Sequence, residues 1–302
     1  MFLVTRNELA YLKSLFHSIN PLGIFTSLST EVTGNEAESL TQKGVISNGT
    51  LTPLAAATLA IVSNPQVVAQ VSLFNGPLSI DKFAYRQGST FALLEVMDEG
   101  LNILAPNGWE DTVELYAQFL GNSTMKSTAI TYTMTYEEAT TFLALFDIER
   151  MRGLSALQGR SEEAVGASVK AVAAFLLDPV EGSLVSLMTA SGLPVSVEAQ
   201  TALTSLVERG IVEAEKETYS LSEETLMLSR RFLAVQSGIT LNLLQTAAQA
   251  IANATTVILA ASPIDIISIS MTNEGVEILA ISAADALQII EEVLSCPVIL
   301  AR

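Results

Sequence analysis

The chain has 302 residues, 49% of them hydrophobic and 16% charged, and its 32 Asp and Glu against 15 Lys and Arg give a formal charge of −17. Such a length holds one large domain or two of about 130–170 residues around a sizeable core. The acidity excludes a broadly basic surface, and with it non-specific nucleic-acid binding through neutralised phosphates. A single Cys and a single His exclude an intrachain disulfide framework, a structural zinc cluster and histidine-based metal or triad chemistry.

The chain opens Met1-Phe2-Leu3-Val4-Thr5-Arg6-Asn7-Glu8, with no basic region ahead of an apolar core, so it does not read as a signal peptide. The longest uninterrupted apolar run is seven residues, Ala171 to Leu177. That is far short of the roughly 20 needed to span a bilayer. Residues 232–264 carry no charge, but Gln236, Asn242, Gln245, Gln249 and Asn253 recur through them and would be costly in lipid. A soluble, cytoplasmic protein is expected, in which the sequons at Asn48, Asn122 and Asn253 are chance products of a Ser/Thr-rich composition.

In chain order, Glu8-Leu9-x-x-Leu12-x-x-Leu15-Phe16 sets apolar residues at helical spacing. A second helix ends at Leu40-Thr41-Gln42-Lys43-Gly44-Val45-Ile46, with a basic last turn and a C′ glycine. A small-residue helix follows, then strands at Val67–Phe74, Leu78–Tyr85, Phe91–Met97 and Leu101–Ala105. Asn75-Gly76-Pro77 and Gln87-Gly88 punctuate them as turns. Val113, Tyr116 and Leu120 mark a closing helix, and the stretch from Gly121 to Met134 is polar.

The same order then recurs. Glu138-Ala139-x-x-Phe142-x-x-Leu145-Phe146 answers the first block, and Leu206-Val207-Glu208-Arg209-Gly210-Ile211-Val212 the second. Glu274-Gly275-Val276-Glu277-Ile278-Leu279-Ala280 matches Glu99-Gly100-Leu101-Asn102-Ile103-Leu104-Ala105 at five of seven positions. Leu287, Ile290 and Leu294 answer the closing helix. The offset grows from 130 to 166, which places an insertion of about 36 residues between Phe146 and Leu206, with a helix of its own at Glu162–Leu177. Further strands are expected at Ile239–Leu243, Val257–Ala260, Ile266–Met271 and Val276–Ile281. Asp98-Glu99-Gly100 and Asn273-Glu274-Gly275 read as three-residue hairpin loops with a left-handed glycine. The expected fold is therefore α+β: two fused, diverged copies related by a pseudo-two-fold axis, residues 1–132 and 133–302, the second with a helical insertion at about 147–200.

No catalytic, cofactor-binding or metal-binding set emerges. His17 lies on the first helix beside Phe16 with no Ser or Cys motif to serve, and Cys296 precedes Pro297 in an apolar tail, as a buried inert thiol does. Gly121-Asn122-Ser123-Thr124-Met125-Lys126-Ser127 lacks the glycine a phosphate loop needs before its lysine. The pairs Glu137-Glu138, Glu162-Glu163, Glu223-Glu224 and Glu291-Glu292 suit helix starts and solvated faces. Leu206 to Val212 followed by Tyr219-Ser220-Leu221-Ser222 resembles the end of a winged helix, but charges of −5 over residues 1–132 and −12 over 133–302 oppose a DNA reader. Arg150, Arg152, Arg160 and Lys170 form the one basic cluster of the acidic second copy. They serve either local pairing with Glu149, Glu162 and Glu163 or contact with a partner.

Leu40-x-x-Lys43-Gly44-Val45-Ile46, Asn48-Gly49-x-Leu51-x-Pro53, the small-residue helix to Asn64-Pro65, the strands carrying Asp81 and Arg86, and Glu99-Gly100 at the sheet's close together resemble the EspG-like chaperones of type VII (ESX) secretion. That resemblance implies two related α+β halves about a pseudo-two-fold axis, a central antiparallel sheet, and a cytosolic role in keeping secreted PE–PPE-type helical heterodimers soluble. It carries over no catalytic or binding residue. The expected function is a non-catalytic chaperone or adaptor for a helical client protein. The alternative is a small-molecule-binding protein or enzyme with a pocket at the seam between the two copies.

Overall fold

The structure, a computed structural model, describes residues 2–16, 20–26, 32, 34–75, 78–97, 100–104, 109–121, 123–126, 128–160, 165–191, 198–247, 250–272 and 275–295. The chain runs β1 (Phe2–Thr5), α1 (Arg6–Lys13), α2 (Glu36–Gln42), β2 (Ile46–Ser47), β3 (Thr50–Leu51), α3 (Pro53–Ser63), β4 (Val67–Asn75), β5 (Leu78–Gln87), β6 (Thr90–Met97), β7 (Gly100–Leu104) and α4 (Trp109–Leu120). There follow β8 (Thr131–Met134), α5 (Tyr136–Leu157), α6 (Val169–Leu177), α7 (Leu184–Ala190), α8 (Ala199–Glu208), β9 (Val212–Glu215), β10 (Thr218–Leu221) and α9 (Glu223–Arg231). The chain closes with β11 (Ser237–Ala247), β12 (Ala250–Ala261), β13 (Ile266–Thr272), β14 (Gly275–Ile281) and α10 (Ala283–Leu294). The fold is α+β, as expected.

One antiparallel sheet carries ten strands in the order β1-β7-β6-β5-β4-β11-β12-β13-β14-β8. Its centre is the pair β4 and β11, where Val71 faces Leu241. Outward from that pair the strands follow β4-β5-β6-β7-β1 on one side and β11-β12-β13-β14-β8 on the other. Alternation along each strand sends its side chains to two faces. On one face Val67, Ala69, Val71 and Leu73 join Ile239, Leu241 and Leu243 in a core roofed by α4 and α10, with Tyr116, Ile290 and Leu294 fully buried. The Tyr116 hydroxyl donates to the Val71 carbonyl across 3.3 Å.

The other face has two separate covers. Helices α1, α2 and α3 pack on Val68, Tyr85, Ala92, Leu94 and Ile103, while the second half's helices pack on Ile258, Ala260, Ile267, Ile269 and Met271. Between them the directly paired Gln70↔Asn242 and Ser72↔Thr240 form a half-buried polar strip along the seam.

The structure corrects several expectations. Gly100 pairs with Met97, and Gly275 with Thr272, so both glycines belong to their strands rather than to three-residue loops. The loop residues 98, 99, 273 and 274 lie outside the described residues. The glycines are needed for a different reason: a Cβ on Gly100 would stand 2.1 Å from the Val4 carbonyl oxygen, and one on Gly275 2.2 Å from that of Met134. Each thus lets a short edge strand, β1 or β8, close against its neighbour, and neither edge strand was legible in the sequence. The helix expected at Glu162–Leu177 begins at Val169. Ser168 caps it with its hydroxyl, and Ala167 ahead of it bridges to Tyr219. A second short helix, α7, follows it. His17 and Cys296 lie outside the described residues, as do Asn122, Ser127, Glu162 and Glu163.

Candidate functional site

Helix α1 is fixed by one carboxylate. Thr5 and Glu8 form a capping box in which the Thr5 backbone N–H donates to Glu8 Oε2 and the Glu8 N–H to Thr5 Oγ1. Glu8 also accepts from the Ser39 hydroxyl at 2.6 Å and pairs with Lys43 Nζ at 2.7 Å, which ties α1 to the end of α2. Thr135 and Glu138 repeat the arrangement at the start of α5, with Ser205 at 2.6 Å and Arg209 at 2.5 Å from the end of α8. Burial raises both carboxyl pKa values, but the hydroxyl, backbone and cation partners outweigh it and hold each below the usual carboxylate range.

So anchored, α1 walls a cavity of about 700 Å³ on the open sheet face of the first half. Strands β4 to β7 and β11 floor it with Val68, Tyr85, Leu94, Val96 and Leu244, and residues 21–26 form its far wall with Leu22 and Ile24. The lining is apolar apart from Arg6, Thr26 and Tyr85. The Thr26 hydroxyl is donated to the Asn20 carbonyl. Tyr85 is only 7% exposed and its hydroxyl makes no hydrogen bond among the described residues; burial pushes its pKa up to about 12. Val96 and Met97, by contrast, are 43% and 47% exposed.

The second half fills the corresponding place. In the mirrored strand order Phe83, Val96 and Leu101 hold the register positions that Ile258, Met271 and Val276 hold on the other side, Val96↔Leu101 answering Met271↔Val276. The latter three are buried, under the 22-residue α5 and under α7, which packs on β12. A void of about 10 Å³ lies elsewhere on that face, between Phe142, Phe146 and Leu228 and the strand residues Ile267 and Ile278. Helix α1, with eight residues, has no such continuation.

Of the basic cluster read from sequence, two members are committed internally. Arg150 is buried, donates to Asp147 Oδ1 and to the carbonyls of Leu233 and Gly182, and so binds α5 to the start of α7. Asp147 Oδ2 in turn accepts the Val185 N–H at 3.1 Å; complete burial pushes this carboxyl up to about 6 despite the arginine beside it. Arg152 pairs with Glu149 at 2.9 Å and donates to the Gly166 carbonyl. Arg160 and Lys170 are exposed. The end of α5 and the segment around α6 also expose Leu154, Leu157, Val165, Leu177 and Val180, Leu157 and Leu177 by more than 70%. Sequence reasoning missed the cavity because its lining is spread over α1, residues 21–26 and five strands; the Thr-x-x-Glu spacing of Thr5–Glu8 and Thr135–Glu138 was the legible trace of the anchors.

Among the described residues no group of three or more His, Cys, Asp and Glu is placed to hold a metal ion, and no helix is long and apolar enough to cross a membrane. Sequence comparison finds no matching family model and no matching curated protein. Structural comparison does find a relative in fold. The chain is similar to the Mycobacterium tuberculosis type VII secretion system chaperone EspG5, solved in complex with the PE25–PPE41 dimer, with a TM-score of 0.55 at 11% identity over 99% of this chain and 97% of that one.

Proposed function

We propose that this protein is a non-catalytic cytosolic chaperone or adaptor that binds a helical client protein. The observation that carries the reading is the near-full-length likeness to a chaperone solved with its client dimer. The docking surface in this reading is the insertion, where the exposed Leu157 and Leu177 supply apolar contact and Arg160 and Lys170 supply cations in an otherwise acidic half. Arg150 and Arg152 contribute by holding the insertion in place. A secretion client is the finer form of the same proposal. So is descent from two fused copies, residues 1–132 and 133–302 with the insertion at about 147–200; the mirrored strand order and the twin capping boxes support it.

The test is capture of partners from lysate of the source organism, followed by reconstitution with the purified candidate. The expected result is a stoichiometric helical protein that binds the wild-type chain and is lost from Leu157→Asp and Leu177→Asp variants of unchanged melting temperature. Equal binding by those variants removes the insertion from the interface, and absence of any stoichiometric partner overturns the reading. One observation favours a second reading, small-molecule binding near the seam: the apolar cavity reaches the central strands through Val68 and Leu244.

A further inference from the structure

We infer that the first-half cavity is a binding slot for an uncharged, branched hydrocarbon of the isoprenoid kind. The inference deepens the small-molecule reading, on which it rests, and is independent of client capture. Size and shape argue first. The floor crosses from Leu101 on β7 to Leu244 on β11, four inter-strand gaps, or about 19 Å at the usual spacing. A volume of about 700 Å³ over that length leaves a mean cross-section of about 37 Å². An α-helix of about 10–12 Å diameter is at least twice as broad in section, so the slot cannot enclose one. A single file of methylenes at contact distances of about 4 Å fills less than half of it, whereas a chain carrying methyl branches fills it. The volume falls within the roughly 300–1,000 Å³ usual for small-molecule sites.

The walls argue second, because the fold fixes them apart. Helix α1 is held by Glu8 through Ser39 and Lys43. The far wall is seated on the end of α3: the Ile24 N–H donates to the Val62 carbonyl at 3.0 Å, and a Cβ on Gly23 would stand 2.4 Å from the Ser63 carbonyl oxygen. A dry void this large would cost more than a domain's whole stability, and apolar walls offer water few partners. Nor does the architecture require the opening. In the second half Ile258, Met271 and Val276 are buried, and the Phe74 ring lies over Gly238, the pair that mirrors Leu244 and Val68. The charge of the lining argues third. Arg6, its one charged residue, already has an interaction partner, the Thr26 hydroxyl is donated to the Asn20 carbonyl, and burial keeps the Tyr85 phenol neutral. Among the described residues no lining charge is left to meet an ionised ligand, whose burial on this floor would be costly.

The test uses the full chain with the neutral dye N-phenyl-1-naphthylamine, and with farnesene, pentadecane and farnesoate as competitors. The expected result is saturable dye fluorescence at one site per chain, displaced by farnesene at lower concentration than by linear pentadecane. Farnesoate should compete at least about tenfold more weakly than farnesene. Val96→Trp from the floor and Ile24→Trp from the wall should each abolish the signal with an unchanged circular dichroism spectrum, whereas Arg6→Gln should leave the ranking of competitors as it is. If pentadecane or farnesoate displaces the dye as well as farnesene does, the assignment to an uncharged branched chain is overturned and the small-molecule reading stands. If the dye does not saturate, or both tryptophan variants bind it as the wild type does, both are overturned. If the tryptophan variants instead change the chain's oligomeric mass or its client capture and leave dye binding intact, the slot is a protein interface and both are likewise overturned.

Discussion

Glu138 is a buried carboxylate with its acceptor capacity filled by the Thr135 N–H, the Ser205 hydroxyl and the Arg209 guanidinium. Glu138→Gln keeps the shape and removes the charge, so it should cost about 2–3 kcal/mol at pH 7, somewhat below a fully buried pair because Arg209 is part exposed. The sign of the pH dependence follows from the lowered pKa. The folded chain holds this proton less tightly than the unfolded one, so the stabilisation is present above the ordinary value of 4.5 and is lost as pH falls through the folded value. Urea unfolding should therefore show the gap between wild type and variant at pH 7 and its closure at acid pH, with Glu8→Gln behaving alike. A gap that persists in acid would mean that the amide disrupts packing. Asp147 works in the opposite sense: its carboxyl is raised to about 6 from 3.8, so its contribution declines as pH rises through that window. Neither behaviour was legible in the sequence, where Glu137-Glu138 reads as a solvated helix start. The deciding partners, Ser205 and Arg209, are some 70 positions away and only the fold brings them in.

The elements were legible where their physics is local. Periodicity marked the central strands, and a C′ glycine marked both α2 and α8, where Gly44 and Gly210 each adopt φ +70° and the next N–H closes onto Leu40 or Leu206. The strands β1 and β8 were not legible, since four residues carry too little alternation and their partners lie almost 100 or 150 positions away. Their trace was the repeated Glu-Gly, which reads as a turn signal but answers to the close approach of the edge. Gly275→Ala should displace β8 from β14 at Met134 and cost about 2 kcal/mol or more, because the new Cβ meets the Met134 carbonyl oxygen and Gly275 sits at φ +143°. Gly100→Ala should act similarly on β1 without the added backbone strain. Amide exchange checks this directly: protection should fall over Thr131–Met134 in the first variant and over Phe2–Thr5 in the second, ahead of the central strands. Unchanged protection at both edges would show that the strands shift to admit a methyl group.

At the scale of the molecule the two halves share hydrogen bonds through the middle of one sheet. Strand β4 pairs with β11 from Phe74↔Gly238 to Val67↔Gln245, and the core beneath α4 and α10 draws on both strands. A linker between independent domains would carry few such contacts; here Val71 and Leu241 at the centre of the seam are fully buried on the face beneath α4 and α10. The repeated order of elements therefore does not imply two separable folding units, and opening either half exposes the apolar strands of the other. Unfolding is expected to be a single cooperative transition even though the chain exceeds the size at which two-state behaviour is the rule. Trp109, the one tryptophan, lies in α4 of the first half, while α5 to α9 give the second half the larger share of helical circular dichroism. The two signals should follow one urea curve with one midpoint. Leu241→Ala, at the shared centre, should move both midpoints together by an amount equivalent to about 2–5 kcal/mol. If tryptophan fluorescence and helical dichroism part, in the wild type or in that variant, the halves unfold separately and the seam is an interface between domains rather than a common core.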